Sequence, residues 1–227
     1  MNDPGFTVEG DVATIRFKHT GVFNNKTLAA VNCALDQVEA NDDITLLVFT
    51  GEDKNFSQGY DLEFLASLPS TERRMEFVHR SMLMIGRLLR FPIPVTAAIN
   101  GHAFGLGAML VLAADYAAMR RDRGYFCLPE VDLEMTLTPR LNALVTHKMT
   151  PRAIRDTLLT GGRLGAEQAH AFGIIDAGCA GDAVLTTAIE LAAPMRGKHR
   201  PTVGALKRGA NLAVIDVIES TLPEKTM

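Results

Sequence analysis

The segment that decides the fold is Ile99-Asn-Gly-His-Ala-Phe-Gly-Leu-Gly-Ala-Met-Leu-Val-Leu-Ala-Ala-Asp-Tyr116, followed by a charged turn and by Phe126-Cys-Leu-Pro-Glu-Val-Asp-Leu-Glu134. An apolar strand pattern ends at Asn100-Gly101, and a Gly-Leu-Gly turn opens a helix that is apolar on nearly every side. A helix that is apolar all round is normally buried. Its glycine-rich start offers unpaired N–H donors and the positive end of the helix dipole.

One carboxylate, Glu130, comes directly after Pro129 in an apolar neighbourhood. N–H donors beside such a carboxylate are the groups that stabilise an anion and move a proton. The same residues are equally compatible with a packed core helix followed by an ordinary surface glutamate. The rest of the chain therefore has to decide between a catalytic and a structural interpretation.

The composition is that of an ordinary globular protein, with 47% hydrophobic and 22% charged residues in 227. A net charge of −3 argues against nucleic-acid binding, which requires a basic surface. No uncharged apolar run reaches the roughly 18 residues of a membrane span, and Met1–Gly10 lacks the layout of a secretory signal. The cysteines (Cys33, Cys127 and Cys179) form neither a disulfide framework nor a metal-binding spacing, so we expect a cytoplasmic protein without bound metal.

Strand and helix patterns alternate along the chain, which predicts an α/β fold. The predicted strands are Val12–Lys18, Ile44–Thr50, Val95–Asn100, Tyr125–Leu128 and Ile174-Ile175. Helices are predicted from an Asn24 or Asn25 cap through Val38, and over Met75–Leu89, Arg140–Lys148, Pro151–Thr160, Ala166–Phe172, Asp182–Ala193 and Val203–Ser220. Gly51–Asp61 is predicted to be a polar loop, and Leu62–Leu65 a helical turn.

Other catalytic chemistries lack their characteristic residues. No Gly-x-Ser-x-Gly segment occurs, and neither Ser57 nor Ser81 has glycines on both sides, which argues against a serine hydrolase. Gly101–Gly107 contains no Gly-x-Gly-x-x-Gly dinucleotide fingerprint. Isolated histidines without metal-ligand spacing occur at His102, His147 and His170.

Four segments, in the expected order, resemble the crotonase (enoyl-CoA hydratase/isomerase) superfamily. They are Asn55-Phe-Ser-Gln-Gly-Tyr-Asp61, Pro94–Ala108, Phe126-Cys-Leu-Pro-Glu130 and Leu164–Asp176. Their counterparts are the family's Phe-Ser-x-Gly-x-Asp segment, its glycine-rich helix entry, its Phe-x-x-Pro-Glu motif and its later Ala-x-x-Ala-x-x-x-Gly-Leu-Val-Asp segment. The resemblance covers Phe6 to Asp176, and Asp115–Leu133 looks most similar to the short Δ3,Δ2-enoyl-CoA isomerases.

This resemblance implies a crotonase-type spiral of β-β-α turns over residues 1–195 and a C-terminal helical segment over residues 196–227. Arg196–Pro201 is the predicted linker, and Pro223 follows the end of the last predicted helix. The resemblance also implies a homotrimer or a dimer of trimers. The implied substrate is an acyl-CoA thioester, and no cofactor is expected because CoA is part of that substrate.

The family holds the thioester oxygen with two backbone N–H groups, which map here onto Tyr60 and Leu106. Leu106 and Tyr60 each stand where the family pattern has a small residue. Backbone donors survive such a change of side chain, but Leu106 narrows the site and Tyr60 reshapes the acyl or CoA contact. Implied substrate or CoA contacts are Ser57, Gln58, Tyr60, Asp61, Gly105 and Met109. Possible phosphate partners, equally interpretable as surface lysines, are Lys18, Lys26 and Lys207.

The informative departure from the family pattern is at Met109. Family hydratases carry two glutamates, whose positions here are Met109 and Glu130. Hydration activates a water and delivers a proton, which is work suited to two carboxylates. A double-bond shift needs one carboxylate to move a proton from C2 to C4 while an oxyanion hole stabilises the dienolate. We therefore predict a Δ3,Δ2-enoyl-CoA isomerase of fatty acid β-oxidation with Glu130 as sole base and acid.

Two alternatives stay open. The first is an enoyl-CoA hydratase or another crotonase-type acyl-CoA enzyme, to which Asp132 or Glu134 contributes if either faces the pocket. Their alternation with Val131 and Leu133 predicts instead that both face away from the apolar side. The second is a catalytically silent CoA-binding scaffold in which Glu130 is structural, because the sequence after it lacks the common glycine-rich segment.

Overall fold

The computed structural model describes residues 4–220. Within these residues the strands are β1 (Gly5–Glu9), β2 (Val12–Arg16), β3 (Val22–Phe23), β4 (Leu46–Thr50), β5 (Asn55–Ser57), β6 (Gly59–Tyr60), β7 (Val95–Ile99), β8 (His102–Phe104), β9 (Tyr116–Arg120), β10 (Phe126–Cys127) and β11 (Ala177–Cys179). The helices are α1 (Asn25–Ala40), α2 (Leu62–Ser67), α3 (Thr71–Leu88), α4 (Leu106–Ala113), α5 (Pro139–Lys148), α6 (Pro151–Thr157), α7 (Ala166–Ala171), α8 (Val184–Leu191), α9 (Arg200–Ala210) and α10 (Leu212–Glu219).

The strands form two layers. The larger sheet has the order β1-β2-β4-β7-β9-β11, and all of its neighbours are parallel except β1 and β2. The second layer contains the parallel sheets β10-β8-β5 and β3-β6. In each turn of the spiral, the first strand lies in the larger sheet, the second strand lies in the second layer, and a helix follows. The successive turns are β4-β5-α3, β7-β8-α4 and β9-β10-α5. The predicted spiral of β-β-α turns with C-terminal helices is confirmed.

The larger sheet is covered on both faces. Every residue of β4 and β7 is buried, as expected for parallel strands between two layers. On one face they pack into the main core with α1, α3 and α4, and on the other Leu46, Val48 and Ala98 pack against α8. All eight residues of α4 are buried, so the uniformly apolar pattern correctly predicted a core helix.

The predicted loop Gly51–Asp61 contains the short strands β5 and β6, which pair with β8 and β3. The predicted strand Ile174-Ile175 is wrong, because Ile174 N donates to Ala169 O in the turn that ends α7. The last strand begins two residues later, at Ala177, and pairs with β9. Strands β1, β3, β8 and β9 were not predicted.

The predicted helix Val203–Ser220 is divided into α9 and α10 at Asn211. This side chain is 7% exposed, and its Nδ2 donates to Leu89 O at 3.0 Å and to Lys207 O at 2.9 Å. Such side-chain bonds to backbone carbonyls compete with regular helix geometry. The linker is shorter than predicted, because α9 begins at Arg200. Pro223 lies outside the described residues.

Two arginines attach the C-terminal segment to the first half of the chain. Arg196 Nη2 donates to Asp11 Oδ1 at 2.6 Å. Arg200 donates to carbonyls at the end of α1, at 3.1 Å to Val38 O and 2.7 Å to Asn41 O. The last carbonyls of a helix lack intrahelical partners and attract cations. The predicted domain boundary between residues 195 and 196 stays a prediction, and these contacts hold the two sides together.

Candidate active site

A cavity of about 470 Å³ lies between α2–α3 and the segment that follows β10. Its walls bring together Gln58 and Tyr60, Gly105, and the Pro129-Glu130 pair. Apolar side chains complete the α2–α3 wall, namely Leu62, Leu65, Met75 and Val78. A cavity of this size, mostly apolar with a few convergent polar groups, is typical of a small-molecule site.

Glu130 is held by a tight turn at one wall of this cavity. Met135 N donates to Glu130 O at 2.9 Å, and Leu133 N donates to Pro129 O at 3.1 Å. The side-chain atom Oε2 is buried and has no hydrogen-bond partner among the described residues. Burial consequently raises the pKa of the Glu130 carboxyl above its ordinary value. A carboxyl with a raised pKa is better matched to proton transfer near neutral pH.

The Gly59-Tyr60 backbone touches the start of α4. Gly59 has a φ of +84°, and a Cβ added there would lie 2.9 Å from Leu106 N and 2.7 Å from Phe104 O. Gly105, the N-cap of α4, also has a positive φ, of +50°. Glycine alone permits this approach and these dihedral angles at little cost. The backbone amides of Tyr60 and Leu106 therefore lie on adjoining stretches of chain, and their role as an oxyanion hole stays a prediction.

Ser57 and Asp61 shape the loop that carries this amide. Ser57 is fully buried, its Oγ donates to Gly21 O at 2.6 Å, and the same atom accepts from Gly59 N at 3.2 Å. Asp61 is the N-cap of α2, because its Oδ1 accepts from Phe64 N at 3.0 Å. Both side chains have structural partners, so contact with a ligand through the nearby backbone stays a prediction.

Met109 lies behind the cavity wall. It is 1% exposed and belongs to the main core. The cavity lining in the described chain includes Gln58, Tyr60 and Gly105 but not Met109. The structure thus brings three of the predicted contact residues together with Glu130, while the contact predicted for Met109 stays a prediction.

Glu134 lines the cavity, although the sequence predicted that it faces away. The strand pattern behind that prediction is wrong, because Val131 and Leu133 are 48% and 47% exposed rather than buried. Glu134 is itself exposed, as predicted. Residues 131–134 form a turn, and Glu134 has a φ of +54°. Arg74 lines the cavity as well, beside Glu130 and Glu134. No sequence signal pointed to Arg74. It lines the cavity only because the fold brings α3 opposite residues 129–138.

The predicted role of Lys207 as a possible phosphate partner is wrong. Its side chain is 9% exposed, and its Nζ donates to Asp115 Oδ2 at 2.6 Å. Lys18 is half-buried and Lys26 is exposed in the first turn of α1, and for these two lysines the role stays a prediction. Within residues 4–220, no helix is long and apolar enough to cross a bilayer, and no three His, Cys, Asp or Glu side chains are grouped to hold a metal ion.

The family described as enoyl-CoA hydratase/isomerase matches residues 7–222. Over 158 residues the chain is 36% identical to enoyl-CoA delta isomerase 3 of Arabidopsis thaliana, covering 68% of this chain and 66% of that protein. Peroxisomal enoyl-CoA delta isomerase 1 of the same plant is 33% identical over 156 residues, or 67% of this chain and 64% of that protein. The chain therefore spans just under two thirds of the length of these relatives.

The fold also matches that of solved structures. The crystal structure of the enoyl-CoA hydratase EchA3 from Mycobacterium ulcerans superposes with a TM-score of 0.85 at 25% identity, covering 95% of this chain and 94% of that one. A two-layered β-β-α spiral, with a half-buried glutamate that shares a cavity with a glycine-rich helix entry, defines a crotonase-type protein. The chain belongs to the enoyl-CoA hydratase/isomerase family.

Proposed function

We propose that this protein is a Δ3,Δ2-enoyl-CoA isomerase, which moves the double bond of a 3-enoyl-CoA to the 2-position. The observation that carries the proposal is the buried Oε2 of Glu130, which has no hydrogen-bond partner within residues 4–220 and belongs to a residue that lines a largely apolar cavity. The other position at which a family hydratase carries a glutamate is the core residue Met109. The resemblance to plant enoyl-CoA delta isomerases supports the same choice.

The proposed reaction uses one carboxylate twice. Glu130 takes a proton from C2 of the 3-enoyl thioester, and the electron pair of that C–H bond forms a dienolate with its charge on the thioester oxygen. The N–H groups of Tyr60 and Leu106 stabilise this oxygen. The Glu130 carboxylic acid then returns the proton to C4, which leaves a double bond conjugated with the thioester. No water is consumed and no cofactor is needed.

The low polarity around Glu130 serves both half-reactions. In water a carboxylate is too weak a base for a carbon acid, and burial raises its pKa toward that of the reacting carbon. The Met109 thioether has no exchangeable proton, and it cannot position a water as a second carboxylate would. Protonation at C4 is therefore favoured over the addition of water.

Product analysis tests this proposal. A 3-enoyl-CoA is incubated with the protein, and the conjugated thioester is followed by its ultraviolet absorbance; in parallel, a 2-enoyl-CoA is incubated and analysed for 3-hydroxyacyl-CoA. We expect conjugation that depends on Glu130 and hydration slower by at least about a hundredfold, the usual range of one acid–base group. Faster hydration than isomerisation would overturn the assignment, and acyl-CoA binding without either product would favour the silent scaffold.

Hydratase activity is the second candidate, because Glu134 lines the same cavity as Glu130. In that reaction the two carboxylates would divide the activation of water and the delivery of the proton. Glu134→Gln separates the two reactions. Loss of hydration with retained isomerisation would favour the hydratase, whereas the isomerase proposal expects little change in isomerisation.

The homotrimeric or dimer-of-trimers assembly, the cytoplasmic location and the place in β-oxidation are proposals as well. Leu206 and Leu212 of the C-terminal helices are 69% and 46% exposed, which is apolar surface that such an assembly could cover. Light scattering at micromolar concentration measures the assembly. A monomeric mass would contradict it.

A further inference from the structure

The side chain of Tyr60 connects the candidate site to α3. Its hydroxyl lies 2.7 Å from Ser81 Oγ, and Ser81 Oγ donates to Val78 O at 2.7 Å. A serine hydroxyl has one hydrogen, so the phenol is the donor in the bond between Tyr60 and Ser81. Ser81 is fully buried, so water does not compete for this bond.

Aromatic packing fixes the same ring from a second direction. The ring centroids of Tyr60 and Phe77 are 6.0 Å apart with an interplanar angle of 66°. Phe77 is 1% exposed and packs edge-on against Phe64 at 5.0 Å. Edge-to-face pairs add directional stabilisation beyond burial. The hydrogen bond and these contacts together make the Tyr60 ring a rigid part of the wall.

Tyr60 lines the cavity that contains Glu130. Val78, whose carbonyl ends the hydrogen-bond chain, lines it as well. The backbone of Tyr60 adjoins Leu106 N through Gly59, so one residue supplies a candidate oxyanion donor and a bulky part of the wall. The family pattern has a small residue at this position, which would leave the space of the phenol open.

We propose that Tyr60 is a specificity-determining residue whose ring sets the upper limit on the length of the acyl chain. Ser81 is the positioning residue that holds the ring through its hydrogen bond. This inference rests on the acyl-CoA ligand of the proposed function and does not depend on turnover. Interior space is close-packed, so a ring in the wall excludes methylenes that would otherwise occupy its volume.

Binding of saturated acyl-CoA esters, from butanoyl to hexadecanoyl, tests the inference by calorimetry without any reaction. We expect Tyr60→Ala to extend the limit to longer chains and to raise the affinity for the first excluded chain about tenfold, as two newly buried methylenes would. Tyr60→Phe and Ser81→Ala each remove the hydrogen bond between the two side chains but keep an aromatic ring in the wall. Both should therefore move the length limit much less than Tyr60→Ala does. Tyr60→Leu replaces Tyr60→Ala if the latter does not fold.

Tyr125→Ala is the matched control, because Tyr125 is 42% exposed and outside the cavity lining. An unchanged limit in Tyr60→Ala, an equal shift in Tyr60→Phe, or an equal shift in Tyr125→Ala would overturn the inference. The two proposals fail separately. Acyl-CoA binding without isomerisation removes the isomerase activity but leaves the length limit testable, whereas isomerisation with a limit insensitive to Tyr60 removes only this inference.

Discussion

Lys207 and Asp115 form a buried ion pair in which Lys207 Nζ lies 2.6 Å from Asp115 Oδ2, with side chains 9% and 17% exposed. Asp115 Oδ2 also accepts from Val95 N at 2.8 Å. Burial lowers the pKa of Lys207, and the charge and hydrogen bond of Asp115 oppose that shift. The pair therefore attaches α9 to the beginning of β7, in the centre of the larger sheet.

Lys207→Met should lower the free energy of unfolding by about 3–5 kcal/mol, because it leaves the Asp115 carboxylate buried without its cation. Urea denaturation measures the loss. The double variant Lys207→Met/Asp115→Asn should recover part of it, since the Asp115 carboxylate is no longer left without the Lys207 cation. Lys198→Met, at an exposed lysine, should stay within about 0.5 kcal/mol of the wild type. Equal losses in the single and double variants would contradict the role of the charge.

Glu130→Gln should reduce kcat for isomerisation by about 10²–10⁴-fold, because the amide cannot accept the C2 proton. The affinity for a saturated acyl-CoA should change little, since glutamine has a nearly identical shape. Steady-state kinetics and calorimetry measure the two quantities. Glu134→Gln is the comparison variant in the same cavity lining. Turnover of Glu130→Gln close to that of the wild type would contradict the proposed mechanism.

The rate of isomerisation should depend on pH through the same carboxyl. The base acts ionised, and burial raises the pKa of Glu130, so kcat/KM should rise with pH and level off only above the ordinary glutamate range. A kcat/KM profile in constant-ionic-strength buffers locates this midpoint. A midpoint at the ordinary glutamate pKa of about 4.3 would show that the carboxyl is not desolvated during the reaction.

The raised pKa of Glu130 also predicts a change in stability. Folding favours the neutral acid, so this stabilising contribution is complete below the unfolded pKa and is lost as pH rises through the folded pKa. Glu130→Gln should therefore raise Tm at neutral pH, and the difference should shrink below about pH 4, where the wild-type carboxyl is protonated. Calorimetry across this range measures both. A lower Tm at neutral pH would indicate a structural role for Glu130.

Gly59→Ala should reduce kcat by about 10²–10³-fold, the loss typical of one oxyanion donor. The added Cβ would stand 2.9 Å from Leu106 N and would push the two backbone segments apart. Gly173→Ala is the matched control, because Gly173 has a φ of +70° and nothing within 4 Å of the added Cβ. Gly173→Ala should lose about 1–2 kcal/mol of stability from the positive φ. Gly59→Ala should lose more because of the backbone clash, and only Gly59→Ala should lose activity. Equal kcat values in the two would refute the close-approach interpretation.

The parts of the molecule that follow from local pattern were predictable. The buried helix α4 is apolar at every position, and Glu130 is the carboxylate that directly follows Pro129 in an apolar segment. These signals depend only on neighbouring residues, so the sequence contains them in full. The family resemblance added the pairing of Tyr60 with Leu106, and their adjoining backbones agree with it.

The parts that depend on distant contacts were not predictable. Lysine is a residue type that usually lies at the surface, and only the packing of Lys207 against Asp115 buries it. Asn211 divides the last helix because its side chain meets Leu89 O, which is 122 positions away in sequence. The alternation around Glu134 is typical of a strand, yet residues 131–134 form a turn and Glu134 is among the residues that line the cavity. In each case a contact across the fold outweighed the local preference.

The bond between Arg196 and Asp11 joins residues 185 positions apart in sequence. During synthesis Asp11 leaves the ribosome long before Arg196 is added to the chain. The Asp11 carboxylate at the first hairpin therefore has no contact with the Arg196 guanidinium while the intervening residues are made. Contacts of such long sequence separation form late and slow folding. A nascent chain that stops before Arg196 is therefore expected to expose an incompletely anchored N-terminal edge.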